Sequence, residues 1–232
     1  MVANQDIRRF SPIVVGGLSG SGTRVPVMYL TALGIEMNQG DSPHWDCGPI
    51  SKRIWEWVRS VPDDDTFKRE LTECFSEMHT EGVWGWKNPP NILMMKRFWQ
   101  VMPQMKFIHI VRDGRDIKNG HMLKWLEKST GKDPQNENWF LTYLKTWCDV
   151  NVMVSMRGEG MGRNYLMLRI EDIVPKSGDV LKRLADFAGV NLEIKNRDVW
   201  EGIKKSQKLG ECKFGLTVPD RLNVCLGKFG YS

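Results

Sequence analysis

The chain has 232 residues, 41% of them hydrophobic and 26% charged, with 33 basic against 28 acidic side chains and a net charge of +5. A chain this long supports a sizeable core, and one domain spanning 1–232 is the expectation. The mild charge, without a long Lys/Arg run, argues against a nucleic-acid binder and suits a small anionic ligand.

Pro12-Ile13-Val14-Val15 is a short apolar run ending in glycines, as expected of a buried parallel strand. Gly16 to Thr23 then supplies four glycines and two serines, and Val25 to Leu33 reads as a buried helix with Pro26 in its first turn and Gly34 as its C-cap. Asn38 to Pro49 is loop by composition. Ile50 to Ser60 reads as a helix, and Asp63, Asp64 and Asp65 open another from about Thr66 to His79, where acidic residues complement the dipole. Trp84 to Lys87 is a short strand closed by Asn88-Pro89-Pro90. Ile92 to Val101 is a helix, Lys106 to Val111 a second clear buried strand, Trp139 to about Met156 a long helix, and Tyr165 to Ile170 a third strong strand. Asp179 to Ala188 is an amphipathic helix capped by Gly189. Gly202 to Ser232 is irregular until a short helix near Pro219 to Leu226.

Strands alternating with helices predict an α/β protein: a three-layer, P-loop-like fold with a central parallel sheet and helices on both faces. Ligands in such sheets bind at the carboxyl ends of the strands. Both sharp motifs fall there, the Gly/Ser loop after the first strand and Arg112-Asp113-Gly114-Arg115 after Val111.

The five cysteines, Cys47, Cys74, Cys148, Cys212 and Cys225, are far apart, with no CxxC pair and no Cys/His spacing for zinc. A reducing compartment and no metal are expected. No apolar run approaches the ~20 residues of a membrane span, and the polar first residues lack a signal peptide's apolar stretch. The expectation is a soluble, cytoplasmic protein without a membrane span.

A phosphate-cradling loop needs small residues and backbone N–H groups aimed by a helix start. Gly17 to Gly22 has the glycine spacing of the nucleotide triphosphatase loop, but Thr23 stands at the lysine position, which disfavours γ-phosphoryl transfer by a small-molecule or nucleotide kinase.

The segment Pro12 to Arg24 resembles the 5′-phosphosulfate loop of the sulfotransferases that use 3′-phosphoadenosine 5′-phosphosulfate (PAPS), the bacterial and tyrosylprotein members above all. The resemblance implies donor contacts from Gly20, Ser21, Gly22, Thr23 and Arg24. Met105 to Asp116 is similar to the family's 3′-phosphate segment, which puts Arg112 on the 3′-phosphate. The family serine eight positions later is Gly120 here, with Asn119 or His121 as substitutes. Trp84 to Pro90 resembles the Lys-x-Pro segment, placing Lys87 near the transferring group. Leu168 to Val174 resembles the Arg-Tyr-Glu-Asp-Leu-Val strand, and Gly227 to Ser232 the closing Leu-Gly-Tyr. Lys204, Lys205, Lys208 and Lys213 lie where the family has a basic loop over the adenine and 3′-phosphate, or form a solvated basic surface.

What the resemblance implies is sulfuryl transfer to a hydroxyl or amine of a small-molecule, carbohydrate or peptide acceptor, by in-line attack and without a metal. Most members have a loop cation at the position of Gly20, so its work falls to Lys87 or Arg24. The base is expected in the loop after the first helix, at Asp41, His44 or Asp46. The alternatives are the kinase above and a PAPS-binding protein with weak or lost turnover. Trp45, Trp84 and Trp86 flank the expected site as candidate acceptor walls, whereas Trp99, Trp139 and Trp147 are expected in the core.

Overall fold

The structure is a computed structural model that describes residues 7–40, 44–119, 137–173, 178–203 and 218–231. Its sheet has four parallel strands, β1 (Ile13–Gly17), β2 (Gly85–Lys87), β3 (Lys106–Val111) and β4 (Tyr165–Arg169), in the order β2-β1-β3-β4. The helices are α1 (Arg24–Ala32), α2 (Gly48–Ser60), α3 (Asp64–Ser76), α4 (Asn91–Val101), α5 (Glu137–Met161), α6 (Ile170–Ile173), α7 (Gly178–Ala188), α8 (Arg197–Gly202) and α9 (Asp220–Lys228).

Side chains alternate across the sheet, as the two-residue strand period requires. Ile13, Val15, Ile108, Ile110 and Leu168 pack with α1, α6, α7 and α8 on one face. Val14, Trp86 and Phe107 pack with α2, α3, α4, α5 and α9 on the other. Helices therefore cover both faces, and the apolar strands are buried from both sides.

A buried histidine lies inside this second layer. His109 on β3 is fully buried, with Nδ1 2.8 Å from the Tyr165 hydroxyl and Nε2 3.0 Å from Asn151 Oδ1. Burial lowers its pKa to about 4, a shift that the Asn151 hydrogen bond only partly opposes.

Apart from shifts of up to three residues at other element ends, the structure differs from the sequence expectation in three places. The long helix runs on to Met161, because its buried stripe of Leu144, Trp147, Asn151, Val154 and Met161 continues at helical spacing past Gly158 and Gly160. The last strand stops at Arg169, whose guanidinium folds back on Asp172 three residues on (2.6 Å), so Ile170 begins α6 rather than ending a strand. A further helix, α8, is capped by Asn196, whose side chain accepts from Val199 N–H at 3.1 Å.

The strand order carries the functional consequence. From β1 the chain moves to one side for β2, then crosses to the other side of β1 for β3. The carboxyl ends of β1 and β3 are thus a topological switch point, where open α/β sheets leave a crevice for ligands.

Candidate functional site

The glycine-rich loop leaves β1 at this switch point and enters α1 at Arg24. It folds as a tight turn: Ser21 N–H donates to Leu18 O at 2.9 Å and Val25 N–H to Gly22 O at 3.0 Å. Three positions favour glycine, Gly20 among them with φ +89. A Cβ at Gly17 would lie 2.5 Å from both the Ile110 carbonyl and Ser21 Oγ, and Gly22 has φ +83 with Ile170 2.8 Å from where a Cβ would stand. Within the loop Ser21 is 1% exposed, and its hydroxyl has no hydrogen-bond partner among the described residues. Thr23 caps α1 without a side-chain capping bond. A buried hydroxyl left unsatisfied costs about 1–3 kcal/mol, a cost that a polar group bonded to Ser21 would offset.

Arg112 follows β3 directly. Its Nη1 donates to the Gly20 carbonyl at 3.2 Å, and its Nη2 is 3.9 Å from Asp116 Oδ2. Position 20 carries no cationic side chain, yet a guanidinium from the neighbouring strand end lies against it. Beyond Arg112, Arg115 pairs with Asp113 at 2.7 Å, whereas Arg112 reaches the Gly20 carbonyl of the loop.

Lys87 ends β2, opposite Val15 of β1. It is 2% exposed, and its Nζ donates to Asp46 Oδ1 at 2.6 Å and to the His44 main-chain carbonyl. Burial lowers the Lys87 pKa, the Asp46 carboxylate opposes this, and nearby Arg24 adds to the lowering. The loop is also tied by its backbone: Cys47 N–H donates to Lys87 O at 3.0 Å, and Gly40 N–H to Asp46 O at 2.9 Å.

The structure thus brings together Gly20, Ser21, Gly22, Thr23, Arg24 and Arg112 on one side and Lys87, Asp46 and the His44 backbone beside them. The His44 side chain itself is exposed. Asp41, Gly120 and Lys213, together with Lys204, Lys205 and Lys208, lie outside the described residues.

Two further groups hold this site without having been expected. Asn91, fully buried, donates from Nδ2 to Val15 O at 2.8 Å, and Gly17 N–H donates to Pro89 O at 3.2 Å, so the turn after β2 braces the end of β1. Glu171 accepts from Asp113 N–H at 3.0 Å and from the Tyr231 hydroxyl at 2.9 Å. An asparagine opening an apolar helix was the available signal for the first.

Trp84 and Trp86 do not line an acceptor wall. They are 3% and 0% exposed, stack on each other at 5.9 Å and pack against Phe75 in the core. Strand alternation and the α3 and α4 layer bury them. Trp45 remains half-buried beside Asp46, with φ +62. Trp147 is a core residue, as expected.

A family model described as "Sulfotransferase family" matches residues 49–193, more than half of the chain, spanning Lys87, Arg112 and Glu171. The chain belongs to the sulfotransferase family. It is accordingly an enzyme of the transferase class. Among solved structures, this sulfotransferase is similar to STF9 from Mycobacterium avium (TM-score 0.63, 14% identity, 98% of this chain and 77% of that one). It is also similar to the sulfotransferase domain of the curacin biosynthetic pathway (0.58, 13%, 97% and 99%) and to STF1 from Mycobacterium tuberculosis H37Rv (0.56, 13%, 97% and 78%). At these identities the likeness is one of fold. No curated protein matches the chain by sequence. No helix among the described residues is long and apolar enough to cross a membrane, and no cluster of three or more metal-ligating side chains occurs among them.

Proposed function

We propose that this sulfotransferase moves a sulfuryl group from PAPS to a hydroxyl or amine of a small-molecule, carbohydrate or peptide acceptor. PAPS is anionic at both ends, and the residues fit that. The Gly20 to Arg24 loop, with its unsatisfied Ser21 hydroxyl and the start of α1, would hold the 5′-phosphosulfate, and Arg112 the 3′-phosphate. Lys213 and the residues around Gly120 belong to the same donor-binding proposal.

In this reading the acceptor oxygen or nitrogen attacks sulfur in line, the bond from sulfur to the bridging oxygen breaks, and that oxygen leaves with the 5′-phosphate. Lys87 would supply positive charge to the leaving oxygen, the work that a loop cation at position 20 does elsewhere in the family. The acceptor proton passes to a base, for which Asp46 is the described carboxylate nearest Lys87; Asp41 and His44 are the other candidates. The observation that carries this reading is the pair of buried Lys87 with half-buried Asp46 at the strand end adjoining the loop's own strand. A charged pair held there is placed for stabilising charge that develops in a reaction.

The test is thermal unfolding with adenosine 3′,5′-bisphosphate against ATP with magnesium, followed by labelled PAPS with mixed acceptors. Bisphosphate at a hundred times its Kd should add ~2.7 kcal/mol of stability. Stabilisation by ATP alone would replace this reading with a kinase. Binding without transfer to any acceptor would leave a donor-binding protein.

A further inference from the structure

The Arg112–Asp113 peptide is held on both sides. Its carbonyl, on Arg112, accepts from Trp147 Nε1 at 3.0 Å. Its N–H, on Asp113, donates to Glu171 Oε1 at 3.0 Å. A peptide group is planar, so fixing both polar atoms fixes the orientation of the whole unit and with it the direction in which the Arg112 side chain leaves the backbone. The two holding residues come from different elements, α5 and α6, and one segment braces them both. Tyr231 donates its hydroxyl to Glu171 Oε2 at 2.9 Å. Its ring lies 6.1 Å from the Trp147 ring, and Phe229 meets the same indole edge to face at 5.4 Å. Between them, the Gly230 carbonyl accepts from Arg169 Nη1 at 2.8 Å. Trp147, Phe229 and Tyr231 are 1%, 4% and 6% exposed, so the ring contacts among them form away from water, while the Arg169–Gly230 bond lies at the surface. Burial and the facing Glu171 carboxylate push the Tyr231 hydroxyl well above the usual phenol range, which keeps it a donor.

We infer that Glu171, Trp147 and Tyr231 are positioning residues that aim Arg112 at the donor's 3′-phosphate through this single peptide, with the Phe229-Gly230-Tyr231 segment as the brace. The inference rests on the donor-site reading given above. None of the three touches the reacting atoms. Arg112 touches Gly20 of the loop directly, so the brace sets the geometry between the two anionic subsites rather than either alone.

The variants are Glu171→Ala, Glu171→Gln, Tyr231→Phe and Trp147→Phe, read by ligand affinity and by hydrogen exchange over residues 107–116 without ligand. Glutamine still offers an oxygen to Asp113 N–H, and phenylalanine at 231 keeps the ring on Trp147. Glu171→Ala should weaken adenosine 3′,5′-bisphosphate about tenfold and Tyr231→Phe about threefold, while adenosine 5′-phosphate, which lacks the 3′-phosphate, binds as before. Exchange over 107–116 should rise in both, and Glu171→Gln should restore affinity and protection. Equal loss of both nucleotides, or unchanged affinity and exchange in both variants, overturns the inference. If the unaltered protein binds no bisphosphate while exchange follows the expected pattern, the brace stands and the donor reading falls. Should Glu171→Ala not fold, Trp147→Phe removes the other hold on the peptide and carries the same test.

Discussion

Lys87 Nζ and Asp46 Oδ1 are 2.6 Å apart, and the lysine is almost entirely buried while the carboxylate keeps 27% of its side chain exposed. The pair joins the last residue of β2 to the loop before α2. In the proposed reaction Lys87→Ala should lower the transfer rate by about 10²–10³, as removal of one charge-stabilising donor does elsewhere. Bisphosphate affinity should stay within about twofold. Loss of binding in parallel with rate would remove Lys87 from the chemistry. Initial rates and calorimetric titration on the same sample separate the two.

Asp46→Asn tests the pair through pH. Burial already makes the Lys87 ammonium give up its proton below the usual lysine range, and Asp46 is what opposes that. Without the carboxylate the Lys87 pKa falls further, so the alkaline decline of the transfer rate should begin at lower pH in the variant. An unmoved alkaline limb would show that Lys87 does not carry it.

Gly22→Ala probes the loop. At φ +83 an alanine costs about 1–2 kcal/mol of backbone strain, and its Cβ would press on the Ile170 side chain at 2.8 Å. Bisphosphate affinity should fall at least about fivefold and the melting temperature should drop. Calorimetry and a thermal melt report both.

His109 predicts a loss of stability on acidification. Its folded pKa of about 4 lies below the ordinary 6.5, so between these values the unfolded chain binds a proton that the folded chain refuses. The contribution is constant above pH 6.5 and declines as pH falls, reaching roughly 3 kcal/mol of destabilisation near pH 4. Denaturant titrations of the protein and His109→Gln at pH 7.5 and 4.5 should show the gap between them shrinking at the lower pH.

Much of the fold could be read from the chain because its signals are local. β1, β3 and β4 are apolar runs with turn residues at their ends, and Asp63 caps α3 as the acidic run foretold, accepting from Thr66 N–H at 2.9 Å. The loop and Arg112 were legible for the same reason, since each sits immediately after such a run. The rest depends on contacts far apart in sequence. Nothing in Trp84-Gly85-Trp86 says which layer buries it; α3 and α4 decide that. Glu171 and Tyr231 lie 60 residues apart and meet only once β4 and α9 are packed. Gly20 looked deprived of a cation because its guanidinium neighbour is 92 residues away.

The two sides of the candidate site are anchored differently. The loop and Arg112 leave adjacent strands of one hydrogen-bonded ladder, ~4.8 Å apart, and are cross-linked to each other. The 44–47 segment hangs from the edge strand β2 by Lys87 and one backbone bond. Insertions or exchanges in that segment therefore leave the ladder intact. Variation that broadens or narrows the range of acceptors can accumulate at half-buried Trp45 while the nucleotide half stays unchanged, so divergence within this lineage should concentrate there and spare Asp46, Cys47, Lys87 and residues 16–24.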